Sequence, residues 1–86
     1  NLPNLTMNIG KRSRYRVRLI HRNVPGVMAR VNQIFASSEA NVDAQILATV
    51  DEVGYVLTDI SAGLGREALE ELSHLPETVR LIATPL

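Results

Sequence analysis

The chain contains no cysteine and no tryptophan, and its aromatic side chains are Tyr15, Tyr55 and Phe35 alone. Without cysteine there is no disulfide, thiolate nucleophile or cysteine-based metal site, and a cytoplasmic location is expected. So few aromatics mean an aliphatic core and a poor platform for stacking nucleic-acid bases. Nine basic and nine acidic residues cancel to a net charge of zero, which removes the positive field that nucleic-acid binders carry. No apolar run reaches membrane-spanning length and no secretion leader is recognisable. The chain starts at Asn1 without an initiator methionine, so an excised piece of a longer protein is expected.

What is present is enough for one small domain. At 86 residues and 45% hydrophobic content, such a chain buries roughly 60–65% of the surface its unfolded form exposes. Charge is unevenly spread: Lys11, Arg12, Arg14, Arg16, Arg18 and Arg22 all precede the first acidic residue, Glu39. The bland reading of that run is a solvated strand face.

Residues 1–10, with two asparagines near Pro3 and a terminal Gly10, read as a linker or arm, and residues 11–86 as the folded domain. From Arg14 to His21 the chain alternates, Tyr15, Val17, Leu19 and His21 against Arg14, Arg16 and Arg18, which is a half-buried strand. Val27, Val31, Ile34 and Phe35 recur at helical spacing within 26–38, and Met28 is assigned to the core with Phe35. Asn41–Val50 is a second strand with Val42, Ala44, Ile46 and Ala48 in one register. Asp51–Gly54 makes a turn into a third strand, Tyr55–Ile60. After Gly63, Leu64, Ala68, Leu69, Leu72 and Leu75 form the stripe of a second helix that Pro76 ends, and Val79–Ala83 is a last strand. His74 near that helix end fits dipole compensation and carries no site role. Strand, helix, strand, strand, helix, strand predicts an α+β, ferredoxin-like βαββαβ fold, a four-stranded antiparallel sheet with both helices on one face.

The stretch Leu19-Ile-His-Arg-Asn-Val-Pro-Gly-Val27 is the most informative. A strand feeding a helix start leaves the first N–H groups of the helix unpaired, and they attract a carboxylate or phosphate. Pro25 suits the first helical turn, and His21 and Asn23 flank whatever docks. Each has a plainer reading: His21 as a core histidine, Asn23 as a helix cap, Asn41 as a turn residue. Other users of this fold fit poorly. RNA recognition needs exposed aromatics on the central strands, a heavy-metal carrier needs first-loop cysteines, and an acyl-phosphate hydrolase needs a phosphate-cradling loop with catalytic arginine and asparagine.

His21, Asn23, Pro25, Gly26 and Val27, then Asn41, Val42, Ala44 and Gln45, then Gly54-Tyr55-Val56, and finally Pro76, Thr78, Val79 and Arg80 resemble the C-terminal regulatory ACT domain of D-3-phosphoglycerate dehydrogenases. The resemblance implies an allosteric amino-acid-binding domain that takes L-serine at a dimer interface for feedback inhibition of serine biosynthesis. The site it implies comprises His21, Asn23, Val24, Pro25, Gly26 and Asn41. It further implies no catalysis, cofactor or metal in this fragment, with NAD belonging to the presumed parent enzyme. Expected partners are L-serine and a second copy paired through the second-strand edge, with no nucleic acid or membrane. The alternative is an ACT oligomerisation module that binds no ligand or senses another small amino acid. Two departures from the family pattern stand out: Glu39 where a glycine usually ends the first helix, and a hinge glycine pair reduced to Gly10.

Overall fold

The computed structural model describes residues 13–61 and 64–86; the expected arm over 1–10, with its hinge Gly10, lies outside them. Six elements follow in order: β1 (Ser13–Arg22), α1 (Val27–Ser37), β2 (Asn41–Val50), β3 (Val53–Ser61), α2 (Arg66–His74) and β4 (Thr78–Pro85). The strands form one antiparallel sheet in the order β2-β3-β1-β4. The expected βαββαβ architecture is therefore present, with β2 and β4 at the edges.

Period-two alternation in β1 turns Val17, Leu19 and His21 toward the helices, where all three are buried. Val56 and Ile60 do the same from β3. Val27, Val31, Ile34 and Phe35 of α1 close over them, joined by Leu64 and by Ala68 and Leu72 of α2. Met28 packs at the margin of this core. Truncating a fully enclosed member such as Phe35 to alanine costs about 3–5 kcal/mol, through lost transfer energy and the cavity left behind.

The helix ends differ from the sequence expectation at Pro25 and in the length of α2, and agree with it at Glu39. Pro25 is not in the first turn of α1: it lies in the turn before Gly26, which caps the helix in the left-handed region at φ 88°. Its ring still restricts the approach to the helix, one residue earlier. At the other end, Ala40 N–H bonds Phe35 C=O at 3.2 Å and Glu39 N–H bonds Ala36 C=O at 3.1 Å. This pair of bonds is the Schellman closure, and it puts Glu39 at φ 62° in the place glycine usually takes. Helix α2 is shorter than its apolar stripe. Leu64 lies ahead of it and Leu75 is its C-terminal cap residue, because the stripe continues into flanking turns that also pack on the core.

The apolar register of β2 does not face the helices. Ala44, Ile46 and Ala48 stand opposite Asp59, Leu57 and Tyr55 on the far side of the sheet, while Gln45, Leu47 and Thr49 stand opposite Thr58, Val56 and Gly54 on the helix side. An irregularity between Val42 and Ala44 shifts Val42 out of the series, so that it pairs with Ile60. The far face thus carries a shallow depression of about 240 Å³ lined by Ile20, Ile46, Tyr55, Leu57 and Ile82 with Arg18 and Arg80. Arg16 departs from the expected solvated face as well, since it is bound to the buried Asp59.

Candidate functional site

Antiparallel pairing sets His21 of β1 opposite Gly54 at the start of β3. The imidazole is 2% exposed. Its ring lies over Gly54: a Cβ added there would come within 2.3 Å of Cε1 and 2.5 Å of Nε2. Nδ1 is 2.8 Å from the Arg22 carbonyl oxygen, whereas Nε2 is buried and has no hydrogen-bond partner among the described residues. A desolvated polar atom left unpaired costs about 1–3 kcal/mol, which makes Nε2 unusual for a purely structural histidine.

The loop after β1 is fastened to the β2–β3 turn. Asn23 N–H donates to the Glu52 carbonyl at 2.8 Å, and Asn23 Nδ2 donates to the Asp51 carbonyl at 3.3 Å. Asn23 is therefore not the cap of α1. That position belongs to Gly26, no side chain caps the helix, and no acid occupies its first turn. The Val27 N–H is given to the Val24 carbonyl at 3.4 Å, and no side chain competes with an anion for the rest of the first turn. Val24, Pro25 and Gly26 lie exposed along its approach. Glu77 tethers the loop from the other side: its carbonyl accepts Arg22 N–H at 2.8 Å, and its carboxylate pairs with Arg30 at 2.7 Å. The Arg30 guanidinium holds the Glu77 carboxyl below the usual carboxylate range.

Asn41 is elsewhere. It opens β2 opposite Ser61, the far end of β3 from Gly54. The seven-residue step from Gly54 to Ser61 corresponds to about 23 Å of strand. Asn41 Nδ2 donates to Asp43 Oδ1 at 2.8 Å and to Ser61 Oγ at 3.1 Å, and Ser61 Oγ donates to the same Asp43 oxygen at 3.1 Å. One chain thus brings together His21, Asn23, Val24, Pro25 and Gly26, but not Asn41. The sequence reading did not single out Gly54, the Asp51 and Glu52 carbonyls, or Ser61 and Asp43 as supports. Gly54 meets His21 through the β1–β3 register, in which Val53 pairs with Arg22, and these strands are separated in the chain by α1 and β2, so no local pattern marked it.

No group of three or more His, Cys, Asp or Glu among the described residues is placed to hold a metal. No helix among them is long and apolar enough to cross a membrane.

A split βαββαβ sheet with a polar loop between the first strand and an uncapped first helix is the arrangement of an ACT domain. The chain belongs to that family: residues 17–80 match the AHAS small subunit-like ACT domain. More particularly, it is similar to D-3-phosphoglycerate dehydrogenases. It is 34% identical to that of Dictyostelium discoideum over 93% of this chain, and 41% identical to that of Escherichia coli K12 over 71% of it. It spans only 19% and 15% of those two proteins. In fold it resembles the regulatory subunit of aspartate kinase from Thermus thermophilus, with a TM-score of 0.70 and 23% identity, covering 99% of this chain and 57% of that one. It also resembles the ACT domain from the GTP pyrophosphokinase of Chlorobium tepidum, with a TM-score of 0.68 and 11% identity, covering 81% of this chain and 95% of that one.

Proposed function

We propose that this domain senses L-serine for a cytoplasmic, NAD-dependent D-3-phosphoglycerate dehydrogenase and slows it by feedback, with no catalysis, cofactor or metal of its own. The observation that carries the reading is the buried, unpartnered His21 Nε2 beside the uncapped start of α1. In this site the serine carboxylate sits on the first-turn N–H groups of α1, between Val24, Pro25 and Gly26. The ammonium is held by amide oxygens of asparagine, and the hydroxyl meets His21.

The second asparagine, Asn41, comes from another copy. Strand β2 is ten residues long. It carries no lysine or proline, and leaves Val42, Leu47 and Val50 exposed at 40%, 50% and 56%. Such an edge is a template for pairing with itself. Antiparallel pairing about a two-fold axis sets the start of one β2 beside the end of the other, next to the Asp51–Glu52 turn that holds Asn23. Each serine then touches both chains.

Serine has about seven non-hydrogen atoms, and at no more than about 1.5 kcal/mol each a micromolar dissociation constant is a realistic expectation. Calorimetric titration of the domain with L-serine, glycine and other small amino acids tests the assignment. Heat with serine that His21→Ala abolishes supports it. Silence with every amino acid at millimolar concentration leaves the oligomerisation module, which the exposed aliphatic edge of β2 also favours.

A further inference from the structure

We infer that the far face of the sheet, turned away from His21 and both helices, is a second binding site, one that takes a small apolar carboxylate between Arg18 and Arg80. The inference is independent of the effector reading above. On that face Ile20 pairs with Arg80 on one side and Tyr55 on the other, while Arg18 pairs with Ile82 and Leu57. Arg18 and Arg80 are thus diagonal neighbours across β1 and β4, with backbones about 7–8 Å apart. Both are exposed, and neither has an acid partner among the described residues. The carboxylate one step along the same face, Asp59, is already taken by Arg16. Two like charges set this close repel each other, and an anion held between them removes that cost.

The floor beside the two guanidinium groups is apolar. Tyr55 and Ile82 remain 44% and 40% exposed there, and Leu57 leads on to Ile46, its partner on β2. From Arg18 on β1 to Ile46 on β2 is two strand spacings, about 10 Å. A carboxylate on the arginines therefore leaves an acyl chain or aryl ring lying across Leu57 and Tyr55. The depression holds about 240 Å³, less than the roughly 300–1,000 Å³ of sites for drug-sized molecules, and so fits a short chain or one ring. Charge argues against a second copy stacked on this face, because that copy brings its own unpaired arginines and no free carboxylate to meet them.

Titration of the chain with sodium octanoate, followed by NMR, tests this. Saturable shifts should gather at Tyr55, Leu57, Ile46 and Ile82 and spare the loop around His21. Octanamide, which keeps the chain but not the charge, and acetate, which keeps the charge but not the chain, should each bind more weakly. Arg18→Gln with Arg80→Gln should weaken octanoate about fivefold to thirtyfold, the sum of two exposed charge contacts. Both arginines are exposed, so the double variant should keep the wild-type spectrum elsewhere. Added salt should weaken octanoate binding. Shifts that gather at the His21 loop, or that never saturate at millimolar octanoate, overturn the inference. Equal affinity for octanoate and octanamide, or for wild type and the double variant, overturns it too, since the face would then be merely greasy. Binding of L-serine, or its absence, bears on the other face of the sheet and leaves these outcomes unchanged.

Discussion

Arg16 and Asp59 face each other across the β1–β3 ladder and close a two-point ion pair, Arg16 Nε donating to Oδ1 at 2.8 Å and Nη2 to Oδ2 at 3.0 Å. The carboxylate has no exposure, and the arginine itself is mostly covered. The hydrogen bond that Arg16 donates to Asp59 raises the Arg16 pKa further, so the cation is permanent. Removing one member of a buried pair strands the other, at about 3–5 kcal/mol, whereas replacing both by apolar groups is nearly neutral. Arg16→Ala should therefore cost about 3 kcal/mol in urea unfolding, and Arg16→Met with Asp59→Leu should lie within about 1 kcal/mol of wild type. A single-variant loss below about 0.5 kcal/mol, the range of ordinary surface changes, would mean that the pair contributes nothing.

Glu77 gives the domain an acid-side pH dependence. Its folded-state pKa is depressed by Arg30, so its contribution is present above the ordinary carboxylate range and is lost as pH falls through the folded value. Glu77→Gln should lower the melting temperature at neutral pH, where the ionised carboxylate contributes, and converge with wild type in acid, so that the variant's decline toward acid is the flatter. A parallel decline in wild type and variant would rule out this pair as its source.

The edge of β2 predicts an association state. Leu47 is half exposed and lies outside the buried core cluster, so Leu47→Lys should leave the fold intact while putting charge on the pairing edge. Sedimentation should show a dimer for wild type and a monomer for the variant at the same concentration. A variant that stays dimeric places the interface on another surface.

Glu39 holds a left-handed conformation, at roughly 1–2 kcal/mol for a side chain with a Cβ. Glycine there relieves that cost but adds about 0.4–1 kcal/mol of unfolded-chain entropy to be lost on folding. The difference favours Glu39→Gly by about 0.5–1 kcal/mol, measurable as a higher urea midpoint. A lower midpoint would mean that the Glu39 side chain contributes more than the strain it causes.

His21 and Asn41 lie at opposite ends of β3, so sharing a ligand across chains makes a complementation prediction. His21→Ala and Asn41→Ala proteins should each bind serine poorly. After subunit exchange, every mixed dimer carries one site damaged twice and one intact, so near-native affinity should return at half the sites of the mixed dimers, about a quarter of all sites when equal amounts exchange at random. No recovery on mixing would put both residues in one chain's site or in none.

The element order and the helix core were legible because α1 announces itself through Val27, Val31, Ile34 and Phe35, and β1 through its alternation with arginines. The β2 strand was legible in extent but not in facing. Alternation tells which residues share a face, and both faces of this sheet carry aliphatics, so Ala44, Ile46 and Ala48 gave no indication that they point away from the helices. The bulge that displaces Val42 is set by backbone geometry around Asp43, which no local pattern encodes. The loop residues His21, Asn23 and Gly26 were visible as types, whereas the roles that distinguish them were not. Asn23 looks like a helix cap until the β2–β3 turn claims its N–H and its amide, and the unpaired nitrogen of His21 exists only once Gly54 is folded beneath it.

β1 is bonded on both sides, to β3 along nearly its whole length and to β4 from Tyr15 to His21. Ten residues of such a strand make a rigid rod of about 33 Å, with the candidate site at one end and the chain's entry into the sheet, Ser13, at the other. A rod of that length is a mechanical lever. A tilt of about 5° at the His21 end, too small to break a single ladder bond, would carry the Ser13 end through about 3 Å. Ser13 opens the described sheet at that end, so, in the dimer proposed above, a small reorientation between the two domains would reach the polypeptide before it as displacement.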